Sequence, residues 1–504
     1  MKATLSIVLF FTICTIQAQL ATNNGALFFS SANSTAICNG GLLLLSGSFE
    51  NNGQLTISKN GNLPQLGNLS INSGAAITNN GYLKIEQDLI NDGLFSNVQG
   101  DVELFGNITQ HISSTNGTET TFHNLICSGN GTNANKNKEL DNVSASINST
   151  GSVVLNNRVI STNNNNFLVL NPSPTAVMVN QTFGNEGYFQ SASNGYFSWF
   201  ANSNSDYLSP LGVNAAIEIY RPVIFTPNGT DTYNLRLTQG DASLYGFDLS
   251  NKNQNICQLN PSFFHEYKSS NGEVSALQFS YLLSSDGSWA NVAEYEGMYN
   301  LVGNDISNTF TYTFVQVPSN NYSASDSVFV LANQGPVAAF QINALDFFAQ
   351  QIQFLNNSSN ATNYSWTFGD GGSSSEYNPF HNYTLEGNFI ILLEVTNALG
   401  CTDTASVEIS SGGNLVVPTI FSPDGDLINE EFEVISPNVD DYHMKVYNRW
   451  GTLLFESFNR SLFWNGDTED GIACTEGTYF YILKMKKGTN ELAQDGYITL
   501  VRNK

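Results

Sequence analysis

The first chemistry that this sequence suggests is the stacking of aromatic rings on sugars. Tyr188, Tyr196 and Trp199 lie in an unusually aromatic segment, residues 187–207. Large flat rings with a polar edge can bind sugar rings, so these residues are a candidate glycan-binding platform. The alternative is that the same rings form a core or the end cap that shields the last coil of a repeat domain. That alternative needs no ligand and is the simpler interpretation.

A second group of residues could bind a cation. Asp424, Asp426, Asn429 and Glu431 crowd into one short acidic loop. Ca²⁺ takes several oxygen ligands from such a loop, so these four residues form a candidate calcium site. Their spacing is not that of an EF-hand, and an acidic turn exposed to solvent explains them equally well. Beyond calcium, we expect no cofactor.

The sequence contains no recognisable catalytic constellation. Its five histidines stand singly, and no GxSxG, HExxH or P-loop motif occurs. The cysteines beyond residue 18 are widely scattered and show no CxxC spacing. We therefore predict a protein that is not an enzyme. The alternative is a polysaccharide-active enzyme on a β-solenoid, although that region holds too few basic residues to bind acidic polysaccharides well.

Composition narrows the class of protein further. The chain has 504 residues, of which 18 are basic and 43 acidic, giving a net charge of −25. Since no basic surface is available to neutralise phosphates, we expect no nucleic-acid partner. Hydrophobic residues make up 41% of the chain, which is enough to fill several cores. The abundance of Asn, Ser, Gly and Thr favours turn-rich strands over helices, so we predict an all-β, multidomain protein.

The N-terminus is typical of a secretory signal peptide. A basic start at Lys2 precedes the apolar stretch Leu5–Ile13, and Ala18 is a small residue at a suitable cleavage point. We assign residues 1–18 to this peptide because its apolar part is too short for an ordinary membrane span. No later window is apolar over 18 residues, so we expect no transmembrane segment in the mature chain.

A repeat of about twenty residues occupies the first quarter of the chain. Gly53, Gly74 and Gly93 recur at this spacing, with short alternating segments between them. Two turns and two strands per period predict a parallel β-solenoid over residues 19–215, with glycine at positive φ in the corners. An antiparallel sandwich is the alternative there. Further strands predict a β-sandwich over residues 216–335.

Residues 336–411 carry a pattern that resembles a known domain. Tyr364, Trp366 and Phe368 alternate onto one face and lead into the turn Gly369–Gly371, with His381 further along. This pattern is similar to that of the PKD domain. The resemblance implies an immunoglobulin-like β-sandwich that acts as an extracellular spacer or binding module. Within it, we expect Asp370 to be a turn former bonded to backbone amides and His381 to be a packed, hydrogen-bonded residue.

The last ninety residues differ in composition from the rest of the chain. Charged residues are more than twice as frequent over 415–504 as before them, and a Gly/Ser-rich linker precedes this segment. Alternating strands separated by Asp-Gly and Asn-Gly turns predict a compact sandwich. The most distinctive motif is Tyr-Asn-Arg-Trp-Gly, in which Asn448, Arg449, Trp450 and Gly451 follow a tyrosine.

The order and spacing of these motifs resemble the gliding-motility-associated C-terminal domain, the type B sorting domain of type IX secretion in Bacteroidetes. Three positions depart from the family pattern: Asp424 replaces the usual Asn, Leu427 a Gly and Glu430 an Asp. The resemblance implies that the outer-membrane translocon reads this module after export to the periplasm, and that residues 448–451 form the sorting motif.

These inferences combine into one expectation about function. We expect a non-catalytic protein exported by type IX secretion to the cell surface or the extracellular space, associated with the outer membrane. A protein of this kind would work in adhesion or in contact with the extracellular matrix, through glycans or surface proteins. Its acidic surface suits a secreted protein that must stay soluble.

Overall fold

The structure is a computed structural model, and it is built almost entirely of strands. It describes residues 3–4, 13–16, 21–24, 28–30, 35–39, 42–58, 67–130, 135–180, 182, 184–191, 194–202, 204–215, 218–303, 305–309, 312–319, 322, 327–343, 352–412, 415–425 and 428–502. The chain divides into two compact units, Met1–Gln334 and Gly335–Lys504. The predicted signal peptide lies outside the described residues apart from the first two strands.

The first part of unit one consists of short strands. In chain order they are β1 (Ala3–Thr4), β2 (Ile13–Ile16), β3 (Ala21–Asn24), β4 (Phe28–Ser30), β5 (Thr35–Asn39), β6 (Leu42–Asn51), β7 (Gln54–Ser58), β8 (Leu69–Ile71), β9 (Ala75–Asn79), β10 (Tyr82–Ile85), β11 (Leu89–Asn91), β12 (Leu94–Ser96), β13 (Asp101–Leu104), β14 (Gln110–Ser113), β15 (Thr120–Cys127), β16 (Asn137–Asp141), β17 (Ala145–Leu155), β18 (Val159–Ser161), β19 (Phe167–Val169), β20 (Val177–Val179), β21 (Tyr188–Gln190) and β22 (Phe197–Ala201).

These strands pair in parallel ladders. One ladder has the order β1-β3-β6-β8-β11-β14-β16-β18-β21, and a second runs β2-β5-β7-β10-β13-β15-β17-β19-β22. Tyr82 in β10, for example, pairs with Gln54 in β7 on one side and with Asp101 in β13 on the other. Pairing with the strand one period away is what a stack of coils requires, and our interpretation of this region as a solenoid depends on it.

Alternation along each strand explains why the ladders stack. Leu55 and Ile57 of β7 and Leu83 and Ile85 of β10 are at most 1% exposed, whereas the residues between them are only partly buried. Side chains of a strand point to opposite faces in turn, so one face of β7 and one face of β10 enter the core. Each added period therefore covers the apolar face of its neighbour.

Glycines serve the repeat in two different ways. Gly74 has φ +83°, as predicted for a corner residue. Gly81 is required by close packing instead, because a Cβ atom there would lie 2.1 Å from the carbonyl oxygen of Gly53 in the preceding period. Gly93 is similar, with a Cβ position 2.4 Å from the carbonyl oxygen of Ala75. Close approach of backbones, rather than positive φ, is thus the reason for glycine at these two positions.

Asparagine side chains form a ladder inside the stack. The Asn51 amide donates to the Asn79 side chain at 2.8 Å, and the Asn79 amide donates to the Asn97 side chain at 3.1 Å. Asn51 and Asn79 are completely buried. The Asn79 amide both donates and accepts, so the ladder gives this buried side chain partners where water is excluded. This arrangement gives the asparagine-rich composition a structural role.

A buried lysine also lies inside the stack. Lys138 of β16 is 0% exposed, and its ammonium donates to the carbonyl oxygen of Gly106 at 3.2 Å and to the side chain of Gln110. Gln110 in turn accepts from the Gly106 amide at 2.9 Å. Burial lowers the pKa of Lys138 to about 8 and raises the pKa of the neighbouring Cys127 thiol to about 12, because it disfavours the charged form of each.

The second part of unit one is antiparallel. It contains β23 (Tyr207–Ser209), β24 (Gly212–Val213), β25 (Ile219–Tyr220), β26 (Val223–Pro227), β27 (Asp231–Gln239), β28 (Ile256–Leu259), β29 (Phe263–Ser269), β30 (Ser275–Tyr281), β31 (Asn291–Tyr295), β32 (Tyr299–Gly303), β33 (Asp305–Thr309), β34 (Tyr312–Val317) and β35 (Ser327–Gln334). A 3₁₀-helix (Ala242–Tyr245) and one helix, α1 (Leu283–Asp286), interrupt the strands.

The largest hydrophobic cluster of unit one spans both of its parts. The second parallel ladder continues from β22 into the antiparallel order β27-β29-β35-β31-β32, and a separate antiparallel sheet has the order β23-β26-β30-β34-β33. One hydrophobic cluster extends from Cys38 to Leu331. The change near residue 215 is therefore a change in strand direction and not a break in the core.

Unit two contains the remaining strands. They are β36 (Phe340–Asn343), β37 (Ile352–Asn356), β38 (Asn363–Thr367), β39 (Ser373–Ser374), β40 (Phe380–His381), β41 (Glu386–Thr396), β42 (Thr402–Gly412), β43 (Ile420–Phe421), β44 (Asp441–Tyr447), β45 (Leu453–Ser457), β46 (Gly477–Lys487) and β47 (Asn490–Leu500). Across the described ranges of the chain, no helix is both long enough and apolar enough to cross a membrane.

Two separate cores lie within unit two. Sheets β36-β37-β40 and β39-β38-β41-β42 enclose one cluster around Trp366 and Phe368, as the alternating pattern predicts for an immunoglobulin-like sandwich. The five-stranded sheet β43-β47-β46-β44-β45 packs a different cluster around Trp464 and Leu483. The two clusters have no residue in common, so the C-terminal module has its own core.

Candidate functional site

The predicted sorting motif, residues 448–451, forms the tip of the hairpin between β44 and β45. The side-chain oxygen of Asn448 accepts from the backbone amides of Trp450 at 3.0 Å and Thr452 at 2.9 Å. Gly451 has φ +82° and donates its amide to the Asn448 carbonyl at 3.0 Å. An asparagine bonded to amides ahead of it and a glycine at positive φ make a tight turn. Asn448 and Gly451 therefore shape the tip.

The two residues between them point outward. Trp450 is 82% exposed, the largest exposed fraction among the described large hydrophobic side chains together with Leu244. The guanidinium of Arg449 lies 5.6 Å from the centre of the Trp450 ring, which is within cation–π range. An exposed tryptophan beside a cation is typical of residues that dominate protein interfaces. The tip therefore presents a compact contact surface.

A cavity of about 250 Å³ adjoins this tip. It is lined by Asn448, Arg449, Trp450, Leu454, Ala473, Cys474, Thr475, Gly477, Thr478 and Tyr479. Burial raises the pKa of the Cys474 thiol and of the Tyr479 hydroxyl. Both groups therefore stay neutral at physiological pH, and the charge in the cavity wall comes from Arg449.

Two of the three candidate glycan-binding residues are fully buried in unit one. Tyr188 and Trp199 are 0% exposed, and the Trp199 indole donates to the Asn171 carbonyl at 3.0 Å. Tyr196 is half-buried, with the Arg236 guanidinium 4.7 Å from its ring centre. No face of Tyr188 or Trp199 is left for a sugar. This placement corrects the glycan interpretation and corresponds to the alternative, in which the rings fill a core.

The acidic loop is only partly described. Asp424, Asn429 and Glu431 are exposed, and Asn429 has φ +53°. Asp426 lies outside the described residues. The Asn429 carbonyl accepts from the Ser422 amide at 2.8 Å, which closes the loop through its backbone. Calcium binding by this loop stays a prediction.

Asp370 and His381 pair within the first core of unit two. Asp370 accepts from the Gly372 amide at 2.9 Å and lies 2.8 Å from the Nε2 of His381. Burial alone would raise the pKa of Asp370, but the hydrogen bonds from His381 and Gly372 outweigh it and hold that pKa below its usual range. The His381 ring also stacks on Phe368 at 4.1 Å between ring centres. Both residues thus have the turn-forming and packing roles expected of them.

One cluster was missed by sequence reasoning. His111 stands alone in the sequence, yet its Nδ1 lies 2.5 Å from the Oδ2 of Asp141, with Glu139 adjacent. These residues are 28 and 30 positions from His111, so no local spacing rule relates them. Only the pairing of β14 with β16 brings them together, and the repeat period was the signal that could have located them.

Comparison with known families identifies two regions of the chain. Residues 415–500 match the CHU_C Type IX secretion signal domain, and residues 333–410 match the PKD domain. Both resemblances drawn from the sequence are confirmed. A type IX secretion signal implies export to the cell surface or the extracellular space. The chain is therefore a secreted or cell-surface protein that carries a PKD domain.

Individual relatives match the same central region. A microbial collagenase from Vibrio alginolyticus is 34% identical over 97 residues, which are 18% of this chain and 12% of the collagenase. The match covers only the PKD region of this chain. The PKD1 domain of Vibrio anguillarum Epp is 31% identical and covers 16% of this chain and 95% of that domain, with a TM-score of 0.15. The PKD1 domain of the Vibrio cholerae metalloprotease PrtV is 32% identical over 15% of this chain and 95% of that domain, with a TM-score of 0.14.

Proposed function

We propose that this protein is a non-catalytic adhesion or matrix-binding protein delivered to the cell surface by type IX secretion. The single observation that supports delivery best is the separate core of the C-terminal module, which matches a secretion signal domain. A module that folds by itself can be read by a secretion machine whatever precedes it. The remaining chain is the cargo.

The outer-membrane translocon is the proposed partner of the hairpin tip. Trp450 offers an apolar ring at 82% exposure, and Arg449 adds a cation that has no carboxylate within ion-pair distance among the described residues. Asn448 and Gly451 hold the turn and have no need to touch the partner. Loss of Trp450 should therefore weaken recognition without disturbing the fold.

Secretion of tip variants would test this partner. Trp450→Ala should retain the chain in the periplasm, as should deletion of residues 415–504. Phe458→Ala is the matched control, because Phe458 is 70% exposed in the same module but lies away from the tip. Fractionation and immunoblotting would report the location of each variant. If the deletion variant reached the medium normally, type IX export would be refuted. If the deletion variant stayed in the periplasm but Trp450→Ala reached the medium, Trp450 would be excluded as a contact of the translocon. The proposal of type IX export would then still stand.

The binding role is proposed over the enzymatic alternative because no described site assembles a catalytic set. The family matches cover a secretion signal and a PKD domain, and the collagenase resembles this chain only in its PKD region. Incubation of the purified chain with bacterial and algal polysaccharides, followed by a reducing-end assay and a pull-down, separates the two roles. Retention on a polysaccharide without new reducing ends supports adhesion, whereas product formation overturns it.

A further inference from the structure

Two neighbouring strands place three metal-ligating side chains on one face of the stack. His111 of β14 pairs directly with Glu139 of β16, and Ser113 pairs with Asp141. Residues two apart in a strand share a face, so the side chains of Glu139 and Asp141 lie on the same side as that of His111. Leu140, between the two acids, is fully buried on the opposite face.

The ligand atoms of these residues converge. One nitrogen of His111 and one carboxylate oxygen each from Glu139 and Asp141 all lie within 4.8 Å of one another. The side chains of His111 and Asp141 are 39% and 42% exposed, so an ion could reach them from solvent. Zinc lies about 2.0–2.1 Å from its nitrogen and oxygen ligands. Small rotations of the three side chains would bring all three ligand atoms to that distance from one ion.

Surrounding groups orient the cluster. The His111 backbone amide donates to the side chain of Asp88 at 2.8 Å, which fixes this point of β14. Glu139 accepts from the side-chain amide of Asn137, and Asp141 accepts from that of Asn163, both at 3.3 Å. Hydrogen bonds of this kind orient metal ligands in known sites. Each carboxylate still has oxygen lone pairs available for a cation.

No competing cation neutralises the two acids. Among the ion pairs of the described residues, no lysine or arginine reaches Glu139 or Asp141. Lys138 lies between them in sequence but points into the core, where it bonds to Gly106. In a chain with a net charge of −25, two carboxylates that lack a lysine or arginine partner and lie beside an imidazole favour the uptake of a divalent cation.

We propose that His111, Glu139 and Asp141 form a binding site for a divalent transition metal, with Zn²⁺ as its representative. The imidazole nitrogen selects for borderline metals such as zinc and against Ca²⁺, which takes oxygen ligands. Three protein ligands leave a fourth position for water. The ion would join β14 to β16 and so stabilise the stack by binding only the folded chain.

The test is a zinc titration of the untagged, metal-stripped chain. Calorimetry measures the binding of zinc, and the melting temperature measures the stabilisation that it brings. We expect one zinc per chain at this site and an increase in melting temperature. His111→Gln and Glu139→Gln should each weaken zinc binding by about tenfold or more. Cobalt should give the visible absorption of a tetrahedral site in the parent chain and lose it in His111→Gln.

His443→Gln is the matched control. His443 Nε2 also lies close to a carboxylate, 2.6 Å from Glu456, but Lys445 lies 3.1 Å from the same carboxylate and occupies the place of a second acid. Zinc affinity should not change in this variant. The proposal is overturned if the parent chain takes up no zinc, if His111→Gln binds zinc as tightly as the parent, or if excess calcium displaces the zinc. The melting temperatures of the metal-free variants verify that each one is folded.

Discussion

Replacement of Lys138 by methionine should remove a specific pH dependence from the stability of unit one. Burial lowers the pKa of Lys138 to about 8 from an ordinary value near 10.5. Between these two values the unfolded chain holds more protons than the folded chain, so the free energy of unfolding rises with pH. The full effect is about 3 kcal/mol, at about 1.4 kcal/mol for each pKa unit. From about pH 7.5 to about pH 9.5 the expected gain is about 2 kcal/mol.

Lys138→Met should lack that gain. At about pH 7.5 it loses the penalty for the buried charge, but it also removes one donor from the Gly106 carbonyl and one from the Gln110 side chain, which keeps the Gly106 amide. A buried acceptor left without a donor costs about 1–3 kcal/mol. Because these two effects have opposite signs, the free energy of unfolding at a single pH says little about Lys138. The change of that free energy with pH depends on the protonation of the ammonium and is the better measurement. The buried Cys127 thiol and the buried tyrosines lower the free energy of unfolding as pH rises toward their unfolded-state pKa values. They are present in both chains, so the difference between the two profiles reports Lys138.

Urea unfolding followed by circular dichroism at the two pH values would measure this difference. Lys84→Met is the control, because Lys84 is 29% exposed and pairs with Glu103 at 3.0 Å on the outer surface. The control should change with pH as the parent does. Parallel profiles for Lys138→Met and the parent, within about 0.5 kcal/mol, would show that Lys138 is not a buried charge and would refute the reasoning.

Three further predictions concern packing, backbone approach and an ion pair. Trp199→Ala should lower the free energy of unfolding by about 3–5 kcal/mol, seen as a lower melting temperature, because the ring is fully buried. Gly151→Ala should prevent stable folding, since its Cβ would lie 1.7 Å from the His123 carbonyl oxygen. Gly117→Ala should cost only about 1 kcal/mol in urea unfolding, because its Cβ meets open space although φ is +78°. Asp370→Asn should lower the melting temperature at neutral pH, and this difference should vanish as acid protonates Asp370 through its lowered pKa in the parent.

Local patterns predicted the strands and turns well. The alternation at Leu55 and Ile57 indicated which side chains are buried, and the glycine spacing indicated a corner at Gly74, which has φ +83°. Both depend on residues close together in the chain, where side-chain direction follows from backbone geometry. The PKD and sorting-domain patterns were recognisable for the same reason.

Features set by strand register could not be predicted in this way. His111 meets Asp141 only because β14 and β16 pair with a particular offset, and Lys138 looks like a solvent-facing residue until its partner Gln110 is known. Trp199 was left between a glycan platform and a core because aromatic content does not reveal which side of a strand faces the core. A shift of one residue in register would have reversed each of these outcomes.

The separate cores of unit two bear on what happens to the chain after it is delivered. The cluster around Trp366 ends at Ile409, and the cluster of the C-terminal module begins at Leu415. A protease that cut between these points would divide no described hydrophobic cluster. Such a cut would leave the buried hydrophobic side chains of the body in place, and separation of the two parts would remove only polar contacts of the described residues, such as that of Glu386 with the Asn438 amide.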